Sequence, residues 1–141
     1  MKSPIYYESK SDKLTYPILH KRRIRYEMPM HFHENIELMY ILSGDYETEI
    51  DNTKIVATAD DIVFVPNFYI HSGKQNNDLE VFFYQPRLSN TISFHDLFKK
   101  RTLPFLMQDK AFNRETILPL LEYFYARPSQ IANETVMQGA F

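Results

Sequence analysis

The stretch His31-Phe32-His33-Glu34-Asn35-Ile36-Glu37-Leu38-Met39-Tyr40-Ile41-Leu42-Ser43-Gly44 decides how this chain is read. Side chains two apart on a β-strand share a face. On that rule His31, His33, Glu37, Met39 and Ile41 point one way, and Ile36, Leu38, Tyr40 and Leu42 point the other. Both faces of the later half are apolar, as expected of a strand buried between two layers or in a barrel wall. The face carrying two imidazoles and a carboxylate is the one a closed barrel would turn inward. A third imidazole, His71, lies far down the chain, just past another strand-like run.

Working outward, Ile18 to Glu27 predicts a largely solvated strand whose Lys21, Arg22, Arg23 and Arg25 face water. Before it, Tyr6 and Tyr7 read as a short edge strand and Ser9 to Lys13 as a loop. After Ile36–Leu42, Ser43-Gly44-Asp45 reads as a tight turn. Tyr46 to Asp51 alternates as a half-exposed strand, and Asp51-Asn52 turns it into a strand over 53–58. Ala59-Asp60-Asp61 is a further turn, followed by the wholly apolar Ile62-Val63-Phe64-Val65. A loop over 66–73 holds His71. Lys74 to Asp78 reads as a polar turn, and Leu79 to Gln85 as the last strong strand.

Beyond Pro86 the period shifts toward 3.6. Ser93-x-x-Asp96 predicts a capped helix with Phe94, Leu97 and Phe98 on one face. Ile117, Leu120, Leu121, Phe124 and Tyr125 make a second helical stripe, interrupted by Pro119. A start at Thr116 puts that proline in the first turn, where its missing N–H is harmless. A start at Asn113 would force a kink. Short antiparallel strands followed by helices, without βαβ alternation, indicate a small barrel or sandwich with a helical appendage.

The 141 residues fit one domain, and 44% apolar content supplies a core. Net charge is −2, which gives no global pull toward nucleic acid or anionic membrane. Cysteine is absent, in keeping with a reducing cytoplasm, and no run approaches membrane-spanning length. The 10 tyrosines and 11 phenylalanines serve both sheet cores and ligand pockets.

His31-x-His33-x-x-x-Glu37, followed by Gly44, resembles the first motif of the cupin superfamily, and Asp61 to Pro66 followed by His71 resembles the second. More narrowly, residues 18–85 resemble the N-terminal sensing domain of AraC-type transcriptional regulators. Two departures stand out. Asn52 replaces a glycine in the hairpin Asp51-Asn52-Thr53-Lys54, and Asp60 replaces one before Asp61; both newcomers accept a positive φ.

The resemblance implies a mainly β fold, a cupin (double-stranded β-helix or jelly-roll) barrel with C-terminal helices. Residues 1–90 would form the sensing barrel with an N-terminal arm that closes over its opening. Residues 91–141 would form a helical dimerisation appendage of the same domain. The DNA-binding domain of such regulators is expected to be missing from this chain. The implied function is non-enzymatic: binding a small polar effector such as a sugar, and pairing as a cytoplasmic homodimer. Contact with DNA would go only through the missing domain, and contact with membrane is not expected.

The implied effector-lining residues are His31, His33, Glu37, Met39, Tyr46, Phe64 and His71, with Tyr26 and Tyr84 as further candidates. The implied dimer surface is Leu97, Phe98, Ile117, Leu120, Leu121, Phe124 and Tyr125. His31, His33, Glu37 and His71 match the ligand positions of metal cupins, whose donor set suits Zn, Ni, Fe or Mn. In the alternative without metal, the histidines bond one another or effector hydroxyls. The competing function is a metal-dependent cupin enzyme, a dioxygenase or isomerase.

Overall fold

The computed structural model describes residues 4–9, 17–86 and 104–127, with backbone alone at 75–77. Among these the order is β1 (Tyr6–Tyr7), β2 (Ile18–Ile24), β3 (Met28–Phe32), β4 (Glu37–Ile50), β5 (Thr53–Ala57), β6 (Ile62–Val65), β7 (His71–Gln85) and β8 (Leu106–Met107). A helical segment follows: α1 (Lys110–Phe112), a π-helical turn at Asn113–Ile117, and α2 (Leu118–Tyr125). The expected helix around Ser93–Arg101, with Leu97 and Phe98, lies outside the described residues.

β4 and β7 are long antiparallel partners, and each serves two groups of neighbours. The first part of β4 pairs with β6 and with the end of β7; β2 adds to β7 there and β8 adds to β6. The second part of β4 pairs with β5 and with the start of β7, where β3 and then β1 add on. The register shifts between Ile41 and Ser43 and again between Ser43 and Asp45, so the ladder bulges between the two parts. Gly44 sits in this bulge at φ +82°, and a Cβ there would lie 2.6 Å from the Asp78 carbonyl oxygen. Only glycine fits both the conformation and the approach.

Ser43-Gly44-Asp45 and Lys74–Asp78 are therefore not the turns that their composition suggests; they run inside β4 and β7. Polar residues at a bulge mimic a turn because both break the alternation. The Asp51-Asn52 hairpin is present with φ of 46° and 62°, and Asp60 turns at φ 70°. Asn52 and Asp60, the two replacements of glycine, take the left-handed conformation as expected, and Asp51 takes it as well.

Two packed clusters line the two faces. Met39, Ile41, Val63, Val81 and Phe83 from one half join Tyr46, Ile50, Ile55 and Ala57 from the other in a single inner core. The opposite face carries Leu38, Tyr40, Ile62, Phe64, Phe82 and Tyr84, and is covered by Ile117, Leu121 and Phe124. The fold is mainly β and cupin-like, with a short C-terminal helix. The strand path runs β1-β3-β7-β4-β6-β8, and among the described residues no pairing joins its two ends.

The helical segment starts earlier than Thr116. Asp109 caps it, accepting a bond from the Phe112 N–H at 3.1 Å. The chain reaches Pro119 through a π turn in which the Leu118 N–H bonds the Asn113 carbonyl. That widened turn lies directly before the residue that cannot donate to the ladder. The turn over 58–61 pins the segment to the sheet. Asn113 donates to the Asp60 carbonyl at 2.8 Å, Arg114 meets the Asp60 carboxylate at 3.0 Å, and Lys110 meets Asp61 at 3.1 Å. The Tyr40 hydroxyl donates to Asp60 at 2.6 Å from below.

This packing fixes where the expected dimer stripe lies. Ile117, Leu121 and Phe124 are buried on the sheet and Leu120 packs partly against the same cluster, while Tyr125 stays exposed with its ring 5.5 Å from Phe82. Among the described residues no helix is long and apolar enough to cross a membrane. Leu121→Ala should destabilise the protein by about 2–5 kcal/mol, the range for removing a buried leucine, measured by urea unfolding. Gly44→Ala should also lower the unfolding midpoint, whereas Val56→Ala, at an exposed edge, should change it little.

Candidate metal centre

Three segments converge on the inner face at one end of the core. β3 brings His31 into register with His71 at the start of β7, and Ile50 of β4 flanks His71 on its other side. His33 lies just past β3; its carbonyl accepts the Phe68 N–H at 2.8 Å, which ties the loop before β7 to the same place. Glu37 opens β4. His31, His33, Glu37 and His71 are all buried. The ring centroids are 4.1 Å apart for His31–His71, 4.9 Å for His33–His71 and 5.7 Å for His31–His33.

Each ring is held by its Nδ1. His31 bonds the Pro29 carbonyl at 2.8 Å, His33 the Asn35 carbonyl at 2.6 Å, and His71 the Tyr69 carbonyl at 2.9 Å. A carbonyl only accepts, so each Nδ1 carries the hydrogen. A neutral ring so held has its lone pair on Nε2; at His33 that nitrogen instead donates to Glu37 and offers a lone pair only once its proton is lost. One ligating atom from each of the three residues lies within 4.8 Å of the other two.

The donor set fits a divalent ion. Nitrogen ligands at about 2.1 Å from one ion are at most about 4.2 Å apart, so a small inward shift completes the shell. His71 Nε2 is buried without a hydrogen-bond partner; Glu37 Oε2 lies 3.6 Å from it. An ion is the partner such an atom lacks. A three-histidine cluster able to coordinate a divalent metal is therefore present.

Glu37 is the cluster's anionic neighbour. Its Oε2 lies 2.9 Å from His33 Nε2 and accepts a longer bond of 3.4 Å from Gln85 Nε2. Burial alone would raise the Glu37 carboxyl, but the bond from His33 and the more distant His71 hold it well below the usual carboxylate range. Burial also opposes charge on His33, yet the bond to Glu37 and its negative charge outweigh burial and keep that imidazole above its ordinary pKa. For His31, burial and then the charge of His71 win, and its pKa falls.

The other expected lining residues divide by face. Met39 and Tyr46 belong to the inner core. Burial, with the charge of Glu37, raises the Tyr46 hydroxyl pKa and keeps it neutral. Phe64 and Tyr84 lie on the opposite face beneath the helix, and Tyr26 is 70% exposed. Phe64 thus does not share the face of the triad, because the alternation in β6 sends Val63 and Val65 to that side instead.

Sequence reasoning missed Gln85 and Glu8. Gln85 was detectable: Val81, Phe83 and Gln85 share the inward phase, and a buried amide ending an apolar series marks a polar interior. Glu8, whose Oε2 lies 3.2 Å from His31 Nε2, belongs to no motif.

The expectation of a non-enzymatic AraC-type effector domain is corrected by this geometry, together with its sugar sensing, its DNA-linked role as a transcription regulator and the judgement that the chain is no enzyme. The fold assembles a buried imidazole triad of the kind found at catalytic metal centres. The matched family model is the cupin domain, over residues 25–84. No curated protein matches the chain.

Solved structures resemble part of this chain at low identity. An RmlC-like cupin from Shewanella frigidimarina is 20% identical (TM-score 0.46), covering 55% of this chain and 72% of its own. A cupin superfamily protein from Desulfitobacterium hafniense is 16% identical (TM-score 0.49), covering 53% and 71%. Oxalate decarboxylase from Bacillus subtilis is 16% identical (TM-score 0.47), covering 52% of this chain and 22% of its own.

The ionisation of the cluster sets its response to pH. In protein stripped of metal, the raised His33 contributes stability below its unfolded value of 6.5, lost as pH rises through its folded pKa. The lowered Glu37 contributes stability above its unfolded value of 4.5, lost as pH falls. The pair's contribution to unfolding free energy should therefore be greatest between these values. A metal must displace the His33 proton, so affinity should rise with pH until His33 is neutral, by about tenfold per unit for one proton. Competition titrations with a chelator at pH 6 and 8 check this.

Proposed function

We propose that this chain, which carries a cupin superfamily domain over residues 25–84, is a metal-dependent cupin enzyme of the dioxygenase or isomerase class, acting on a small polar substrate in the cytoplasm. The observation that carries the reading is the convergence of three buried imidazoles, each oriented by a backbone carbonyl, with one Nε2 left unpartnered. Such preorganisation exceeds what a packed core needs. Buried polar groups that serve structure alone are normally paired within the protein.

In this reading His31, His33 and His71 hold the ion and Glu37 is the fourth donor. The set of three nitrogens and one carboxylate suits Zn, Ni, Fe or Mn. Bound there, a divalent ion supplies Lewis-acid polarisation of a substrate oxygen or, with iron or manganese, dioxygen chemistry. Gln85 donates to Glu37 Oε2 at 3.4 Å, beside the bond from His33. Met39, Ile50 and Phe83 keep the inner side apolar, which strengthens every electrostatic contact at the site. Tyr46, neutral and buried, is a wall group with its hydroxyl against Gly73.

The test pairs metal content with turnover. Wild-type protein reconstituted with Fe(II) or Mn(II) should hold one ion per chain. It should consume oxygen or interconvert isomers across a panel of small hydroxy and keto compounds, followed by an oxygen electrode and by NMR. His71→Ala should lose the ion and lower turnover by about 100-fold or more, while Tyr26→Ala should retain both. A wild-type protein that binds no divalent ion contradicts the proposal.

A further inference from the structure

We propose that Glu8 is an additional metal ligand carried on the N-terminal arm, and that metal loading straps the arm across the site. The proposal rests on the metal centre described above and extends it to a residue outside both of the motifs that contain the triad.

The placement is specific. β1 pairs in parallel with β3, setting Tyr6 opposite His31 and Tyr7 opposite Phe32. The Tyr6 ring stacks on the His31 imidazole at 5.5 Å and 21°, and Tyr7 stacks on Phe32 at 5.3 Å and 27°. One residue later the Glu8 N–H donates to the Phe32 carbonyl at 2.9 Å. The Glu8 carboxylate is thereby turned toward the triad, with Oε2 3.2 Å from His31 Nε2. That nitrogen is the ligating one, since Nδ1 is engaged by Pro29. Adjacent ligands of one ion at about 2.1 Å stand about 3 Å apart, so the carboxylate lies at the spacing of a neighbouring ligand.

Charge gives the reason for a second carboxylate. Three neutral imidazoles and Glu37 leave a divalent ion with one uncompensated positive charge in a buried place. Glu8 brings the total to zero, and buried net charge is strongly disfavoured. The arm itself is weakly held. Its strand is two residues long and both tyrosines are about half exposed. A segment with so little burial docks firmly only when something else tethers it. The coordinate bond is that tether, so arm and ion stabilise each other.

Mn(II) is the probe, read by electron paramagnetic resonance titration for affinity and by amide hydrogen exchange over residues 6–9 for arm docking. Wild-type protein should gain protection in the arm when Mn(II) is added. Glu8→Gln, which keeps the size and loses the charge, should weaken Mn(II) binding about tenfold and abolish the metal-dependent gain in protection. Glu8→Asp should recover part of the affinity. Equal affinity in wild type and Glu8→Gln overturns the proposal, as does arm exchange that ignores the metal. If wild-type protein binds no Mn(II), Zn(II), Fe(II) or Ni(II), the metal centre itself fails and this inference falls with it; normal binding with an indifferent Glu8 removes only the strap.

Discussion

The structure depends on one repeated interaction, an imidazole Nδ1–H given to a backbone carbonyl two residues away. It occurs at His31 with Pro29, at His33 with Asn35 and at His71 with Tyr69. Each bond fixes a tautomer and a ring plane together. Three such bonds aim three nitrogens at one another, and the β3–β7 register, with the Phe68 N–H bonded to the His33 carbonyl, brings the segments that carry them into contact. A shift of one residue would send His71 to the other face of the sheet. The site is therefore a property of strand register before it is a property of any side chain.

The two faces of the sheet then take separate tasks. The inner face runs from the aliphatic core of Ile41, Val81 and Ile50 to the polar end at Glu37, His71 and Gln85. The outer face is closed by Ile117, Leu121 and Phe124, and the segment bearing them is locked down through Asp60 and Asp61. Covering the outer face lets β4 and β7 be apolar on both sides where they meet β6 and β2. That double burial packs these strands closely on both sides.

Much of this was legible in the sequence, because two-residue periodicity is a direct consequence of strand geometry. The inward phase of Met39 and Ile41 and the outward phase of Leu38 and Tyr40 agree with the packed clusters, and His31, His33 and Glu37 are buried close to one another. The hairpin residues Asp51 and Asn52 were readable because their left-handed conformation has a chemical signature. The bulge at Ser43–Asp45 was not, since polar residues inside a bent strand look like a turn. The helix start was hidden for a similar reason: a π turn before Pro119 breaks the 3.6 period on which a boundary is judged. Glu8 was invisible because nothing local marks it; only the parallel pairing of β1 with β3 brings it to His31. Function was the least legible part. The same imidazoles suit an effector pocket or a metal centre, and it is the locked tautomers and the unpartnered Nε2 of His71 that separate the two.

The most direct measurement is X-ray absorption at the metal edge of protein loaded with one equivalent of Zn(II) or Mn(II). The account predicts the multiple-scattering signature of three imidazoles, with first-shell nitrogen at about 2.0–2.2 Å and at least one carboxylate oxygen. A shell of oxygen alone, or of a single imidazole, would contradict it.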